Sequence, residues 1–197
     1  KVQSNPRSYN TDIGLPLAIL NVELNSLHLQ SIARSISKAA WNTLFERAPL
    51  DYLVLEFGVR NSGDMRQLLG TVLPDIAILT TLTPSYSDDV DVLRTLQDEM
   101  KVLVGTAGAT CQFIVDGDDP LLEEVTRSLP KQAVVIRSTS WTESNCNLKL
   151  AGRTGQYEVA REIIGKNERF SVQAALAVAE YEAHLSRGRI ARFLGGT

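Results

Sequence analysis

Four short runs of consecutive apolar residues limit what this chain can become: Tyr52–Phe57 (YLVLEF), Asp75–Thr80 (DIAILT), Cys111–Asp116 (CQFIVD) and Ala133–Ser138 (AVVIRS). They are continuous rather than alternating, which is how strands covered on both faces read. The segments between them have helical spacing. Leu93, Leu96, Met100 and Leu103 step by three, four and three, so they share one helix face. Met65, Leu68 and Leu69 do the same on a shorter helix, and Leu29, Ile32, Ile36 and Leu44 place a long helix before the first strand. Asp119-Pro120 ahead of Leu121 and Leu122 reads as an N-cap and a first-turn proline. Alternating strands and helices predict right-handed crossovers and an α/β fold: three layers, with a mostly parallel sheet flanked by helices. Ligands of such sheets sit beyond the carboxyl ends of the strands. That singles out Glu56–Asp64, Thr80–Ser87 and Asp116–Asp119.

After residue 138 the pattern changes. Asn147–Ala151 and Gln156–Ile164 flank Gly152-Arg153-Thr154-Gly155, which predicts a small β-hairpin near residues 146–164. A final helix runs from about Arg169 to Ser186, with Val172, Leu176, Ala179 and Ala183 on one face and Gly188 near its end. The 197 residues carry a net charge of −3 with the signs mixed, which argues against a general nucleic-acid surface. No apolar run approaches a membrane span, and the start does not read as a signal peptide. Cys111 and Cys146 have no metal or disulfide spacing, and Cys111 reads as a buried small hydrophobe. His28 and His184 are too few and too scattered for a zinc site or a triad. A reduced, cytoplasmic setting is the default. The expectation is one domain over 1–197, beginning at Lys1 without Met and read as a segment of a longer protein.

Four blocks of residues then point to a family. Tyr9-Asn10-Thr11-Asp12-Ile13-Gly14-Leu15-Pro16-Leu17 resembles the Asn-Asn/Thr-x-Ile-Gly-x-Pro segment of the Mur ligases. Leu53-Val54-Leu55-Glu56-Phe57-Gly58, followed by Gly63-Asp64-Met65, resembles their Leu-Glu-Leu-Gly…Gly-Asp/Glu-Ile block. Pro74-Asp75-Ile76-Ala77-Ile78-Leu79-Thr80 is similar to their Pro-Asp-Ile-Ala-Ile-Ile-Thr strand, and Asp116-Gly117-Asp118-Asp119-Pro120 to their Asn-x-Asp-Asp-Pro turn. With the blocks in order, the resemblance covers about residues 2–185. The Ile-Gly-Leu-Pro-Leu wording is closest to the branch that adds D-alanyl-D-alanine to a UDP-muramoyl peptide.

The resemblance implies the central, ATP-binding domain of a three-domain, P-loop NTPase-like enzyme. There ATP phosphorylates a substrate carboxylate, and an amine attacks the acyl-phosphate to form an amide. ATP and Mg²⁺ are the implied cofactors, with Mg²⁺ offsetting the charge of the transferred phosphoryl. The implied partners are a UDP-muramoyl peptide, D-alanyl-D-alanine and the flanking domains of the same chain. Glu56 matches the family's Mg²⁺-binding glutamate; its simpler reading is an acidic strand end. Asn10 and Thr11 match positions near the nucleotide-sugar substrate, although as turn formers they need no functional explanation.

Other positions depart from the family. No Gly-Lys-Thr/Ser follows a strand in these residues, so the phosphate loop is expected upstream or missing. Tyr86 stands where the family has a histidine near the second metal, and reads most simply as a loop aromatic. Gln97 stands where many members have a carbamylated lysine, and reads most simply as a surface helix residue. Glu99 reads as a solvated charge. In the last helix Arg169 and Phe170 replace a His-Asn pair, while Gln173 can still bond an adenine edge. Asp118 and Asp119 could pair on a metal but read more simply as a cap. Arg187, Arg189 and Arg192 read as a complement to the helix dipole. The expectation is therefore divided between the middle domain of a peptidoglycan-precursor ligase and a catalytically inactive relative acting as a scaffold or partner-binding module. The segment by itself is expected to be inactive.

Overall fold

The structure is a computed structural model and describes residues 2–5, 9–22, 33–35, 37, 39, 41, 50–82, 90–137, 141–143, 148–152, 155–159 and 166–182. The chain divides into two compact units, Lys1–Leu73 and Pro74–Thr197.

In the first unit, β1 (Val2–Ser4) pairs in parallel with β2 (Tyr52–Val54), in the register Val2↔Tyr52 and Ser4↔Val54. The apolar run Tyr52–Phe57 is longer than its ladder. Beyond Val54 the backbone donors turn to the loop instead: Glu56 N–H donates to Asn5 Oδ1 at 3.0 Å, and Gly58 N–H to the Asn10 carbonyl at 2.7 Å. The expectation of cover on both faces fails for this pair. Val2, Tyr52 and Val54 share one face and are exposed, because no described residue packs over them. Helix α1 (Gly14–Ile19) starts on Thr11, whose hydroxyl accepts the Gly14 N–H at 3.2 Å and whose carbonyl accepts the Leu15 N–H at 2.8 Å. It contacts α2 (Asp64–Thr71), which buries Met65, Leu68 and Leu69 as their spacing predicts. The backbone is helical at 33–35, 37, 39 and 41, while Leu29, Ile32, Ile36 and Leu44 lie outside the described residues.

In the second unit, β3 (Ile76–Leu79), β4 (Gln112–Asp116) and β5 (Val134–Ile136) form a parallel sheet in that spatial order. Every residue of the central β4 is buried, as its unbroken apolar run requires. Helix α3 (Val90–Ala107) and the short α4 (Glu123–Ser128) connect these strands. The expected hairpin is present: β7 (Leu148–Ala151) pairs antiparallel with β8 (Gln156–Val159), closed by Gly152 N–H to the Gly155 carbonyl at 2.7 Å. A third strand, β6 (Trp141–Glu143), joins β7 in the same sheet.

The last helix, α5 (Lys166–Tyr181), serves both sheets. Phe170 and Ala174 pack with Ile114 and Ile136 of the parallel sheet, while Leu176 packs with Leu150, Tyr157 and Val159 of the hairpin. On the sheet's other face, Phe113 and Val115 are fully buried, so β4 is covered on both sides. Ala183, Gly188 and the arginine cluster at 187, 189 and 192 lie outside the described residues, as do His28, His184 and Cys146. Among the described residues no helix is long and apolar enough to cross a membrane.

Candidate functional site

Glu56 lies just beyond the carboxyl end of β2, where its carboxylate is exposed. Asn10 Nδ2 donates to its Oε1 at 2.8 Å. No described residue donates to Oε2. The neighbouring Asp64 closes the turn into α2: its Oδ2 accepts the N–H groups of Asn61 at 2.8 Å and Arg60 at 2.9 Å. Those two backbone donors, Asn61 first, hold the Asp64 carboxyl below the ordinary carboxylate range.

No group of three or more His, Cys, Asp or Glu among the described residues could hold a metal by itself. Mg²⁺ does not require such a cage. It keeps several waters and takes one or two carboxylates together with substrate phosphates. An exposed carboxylate with one oxygen held and the other open fits that mode.

In the second unit the carboxyl ends of β3 and β4 converge. Asp116 Oδ2 accepts the Thr81 hydroxyl at 3.0 Å, and its Oδ1 accepts the Asp118 N–H at 3.0 Å. Asp119 accepts the Leu121 N–H on Oδ1 at 2.8 Å and the Leu82 N–H on Oδ2 at 2.7 Å. Both carboxylates are buried and spent on the loops, so Asp119 is the cap its sequence predicts and also a cross-link to the loop after β3.

The Mur ligase middle domain, as a family, matches residues 2–179. The chain belongs to the Mur ligase family. Its fold is similar to a crystal structure of MurF from Acinetobacter baumannii, with a TM-score of 0.71 at 16% identity, covering 98% of this chain and 39% of that one. It is also similar to UDP-N-acetylmuramate:L-alanyl-gamma-D-glutamyl-meso-diaminopimelate ligase from Neisseria meningitides, with a TM-score of 0.52 at 16% identity over 70% of this chain and 45% of that one. Mycobacterium tuberculosis folylpolyglutamate synthase, complexed with ADP and AMPPCP, gives a TM-score of 0.53 at 17% identity over 85% of this chain and 40% of that one. The chain thus spans about two-fifths of the length of these structures.

Within this Mur ligase domain, the structure brings Asn10 to Glu56, and Thr11 to the start of α1. Two expectations on α3 are corrected. Gln97 is half-buried rather than a surface residue, and its Nε2 donates to the Leu121 carbonyl at 2.7 Å. Glu99 is buried, with 4% of its surface exposed, rather than solvated. It lies three residues after Leu96 and four before Leu103, which puts it on the buried face. Tyr86 lies outside the described residues.

On α5, Arg169 and Gln173 lie one turn apart. Gln173 falls between the face packed on the parallel sheet and the face packed on the hairpin, and is buried with 7% exposed. No described residue hydrogen bonds its amide. Asn5 was not singled out in the sequence, and Gly58 entered it only as part of a motif block and of the stretch beyond the strand. Only their nearness to Asn10 and Glu56 in three dimensions makes them part of the site.

Proposed function

We propose that this domain holds the nucleotide of an ATP-dependent carboxylate–amine ligase, resembling the enzyme that adds D-alanyl-D-alanine to a UDP-muramoyl peptide. The observation that carries the reading is Glu56: an open carboxylate oxygen at the carboxyl end of a parallel strand, with the other oxygen held by Asn10. That end is where ligands of parallel sheets gather. The family membership and the nucleotide-bound fold relative support it.

Mg²⁺·ATP, when bound, supplies the phosphoryl group that activates a carboxylate and the charge neutralisation that the transfer needs. Glu56 would hold the metal, its other oxygen being held by Asn10. Thr11 accepts the Gly14 N–H, which leaves its own hydroxyl proton for an oxygen of the nucleotide-sugar substrate. Gln173 offers both amide groups to an adenine edge, with Arg169 one turn away. The amine and muramoyl contacts come mainly from flanking domains.

A second reading, an inactive relative acting as a scaffold, is favoured by Gln97. Its amide is spent on the Leu121 carbonyl and cannot be carbamylated. The two readings separate in an assay of the full-length protein for phosphate release dependent on ATP and D-alanyl-D-alanine. Release that Glu56→Ala abolishes supports the ligase. Release no higher than that of Glu56→Ala, with no binding of ATP·Mg²⁺ by calorimetry, supports the scaffold.

A further inference from the structure

We infer that Asn10 is a positioning residue for Glu56, and that Gly58 is the residue that leaves it room to be one. The inference deepens the reading above and rests on it, since it concerns how the metal-facing carboxylate is aimed.

Three hydrogen bonds tie the segment after β1 to the segment after β2. Glu56 N–H donates to Asn5 Oδ1 at 3.0 Å, and Gly58 N–H donates to the Asn10 carbonyl at 2.7 Å. These fix the two backbones against each other. The third, from Asn10 Nδ2 to Glu56 Oε1 at 2.8 Å, fixes the side chain. A glutamate on an exposed surface otherwise samples many rotamers, and ordering it opposes metal binding. Here one oxygen is already held by a neutral donor and the other is left open. This is the relation of an outer-shell partner to a ligating carboxylate.

Gly58 makes the approach possible. A Cβ built on it would lie 2.8 Å from Asn10 Cγ and 2.9 Å from both the Asn10 carbonyl oxygen and Oδ1. Two of those atoms belong to the amide that reaches Glu56, so any larger residue must push the amide away from the carboxylate. The glycine is required by space.

The test is a titration of Mn²⁺ into the full-length protein at saturating AMPPCP, with bound Mn²⁺ counted by electron paramagnetic resonance. Asn10→Ala is expected to weaken Mn²⁺ binding about tenfold, and Gly58→Ala to do the same. On a Glu56→Ala background, Asn10→Ala should add nothing, because it acts through that carboxylate. Thermal melting by circular dichroism checks that each variant folds; either single variant together with its Glu56→Ala double suffices. If Glu56→Ala weakens binding while Asn10→Ala does not, the inference is overturned and the reading of Glu56 stands. A loss from Asn10→Ala that persists without Glu56 also overturns it. If Glu56→Ala changes nothing, the proposed function and the inference fall together.

Discussion

Asn10 and Glu56, 46 residues apart in the chain, meet through a 2.8 Å hydrogen bond from the Asn10 amide to the Glu56 carboxylate. In the sequence they belong to different blocks with different implied roles, one facing a substrate and one a metal. In the fold they form one unit, because the loop after β1 runs against the strand end that carries Glu56. The polar end of β2 is thus organised by side chains of the first loop where the strand ladder stops.

Asp64 should contribute to stability in a pH-dependent way. Its carboxylate caps two backbone N–H groups and its folded pKa is lowered. The unfolded group titrates near about 3.9. A depressed folded value means the contribution is complete above the unfolded value and is lost as pH falls through the folded one. Asp64→Ala should cost about 1 kcal/mol in urea unfolding at pH 7. The gap between variant and parent should close as the pH drops below about 4. A gap that is unchanged at pH 3 would contradict the assignment.

Asp119 holds two loops at once, through the Leu82 and Leu121 N–H groups. Asp119→Ala leaves both donors without their acceptor and should cost about 2 kcal/mol. Hydrogen exchange at the Leu82 and Leu121 amides should speed up more than exchange in β4. Uniform acceleration across the second unit would mean that the residue acts only through global stability.

Cys111 should be chemically silent in the folded protein. It is buried with 1% exposed, and burial pushes its thiol up to about 11. Thiolate is the reactive form, so at pH 8 only about one thiol in a thousand is poised to react. In a Cys146→Ser background, a thiol reagent such as Ellman's should label the protein only after denaturant is added. Stoichiometric labelling within minutes under native conditions would contradict this burial.

Residues 1–197 by themselves carry no Gly-Lys-Thr/Ser phosphate loop. The nest of backbone N–H groups and the lysine that cradle phosphates in such loops are therefore not supplied by these residues. Their dissociation constant for ATP·Mg²⁺ should lie above about 1 mM, weaker than about −4 kcal/mol of binding free energy. Calorimetry that returns a sub-millimolar value would overturn this expectation.

The parallel strands were legible because β4 is buried along its whole length, and burial on both faces writes an unbroken apolar run. Met65, Leu68 and Leu69, and the Asp119 cap, were legible because local spacing alone decides them. The β1–β2 pair was not, because one apolar strand reads the same whether its second face is covered or open. Glu99 was misread because its charge suggested solvent, although its spacing from Leu96 and Leu103 places it on the buried face. Gln97 was misread for a different reason: its partner, the Leu121 carbonyl, lies on another element. Asn5, and what Gly58 does beyond belonging to its motif block, escaped notice because these roles exist only where two distant loops touch.

The central claim is that Glu56 serves phosphoryl transfer in a carboxylate–amine ligase. Phosphate release by the full-length protein, with ATP, Mg²⁺, a UDP-muramoyl peptide and D-alanyl-D-alanine, tests it most directly when wild type is compared with Glu56→Ala. The account expects release that requires both the amine and the peptide, reduced at least about 100-fold in the variant, in keeping with the loss of a metal-holding group. Equal release by wild type and variant would contradict it.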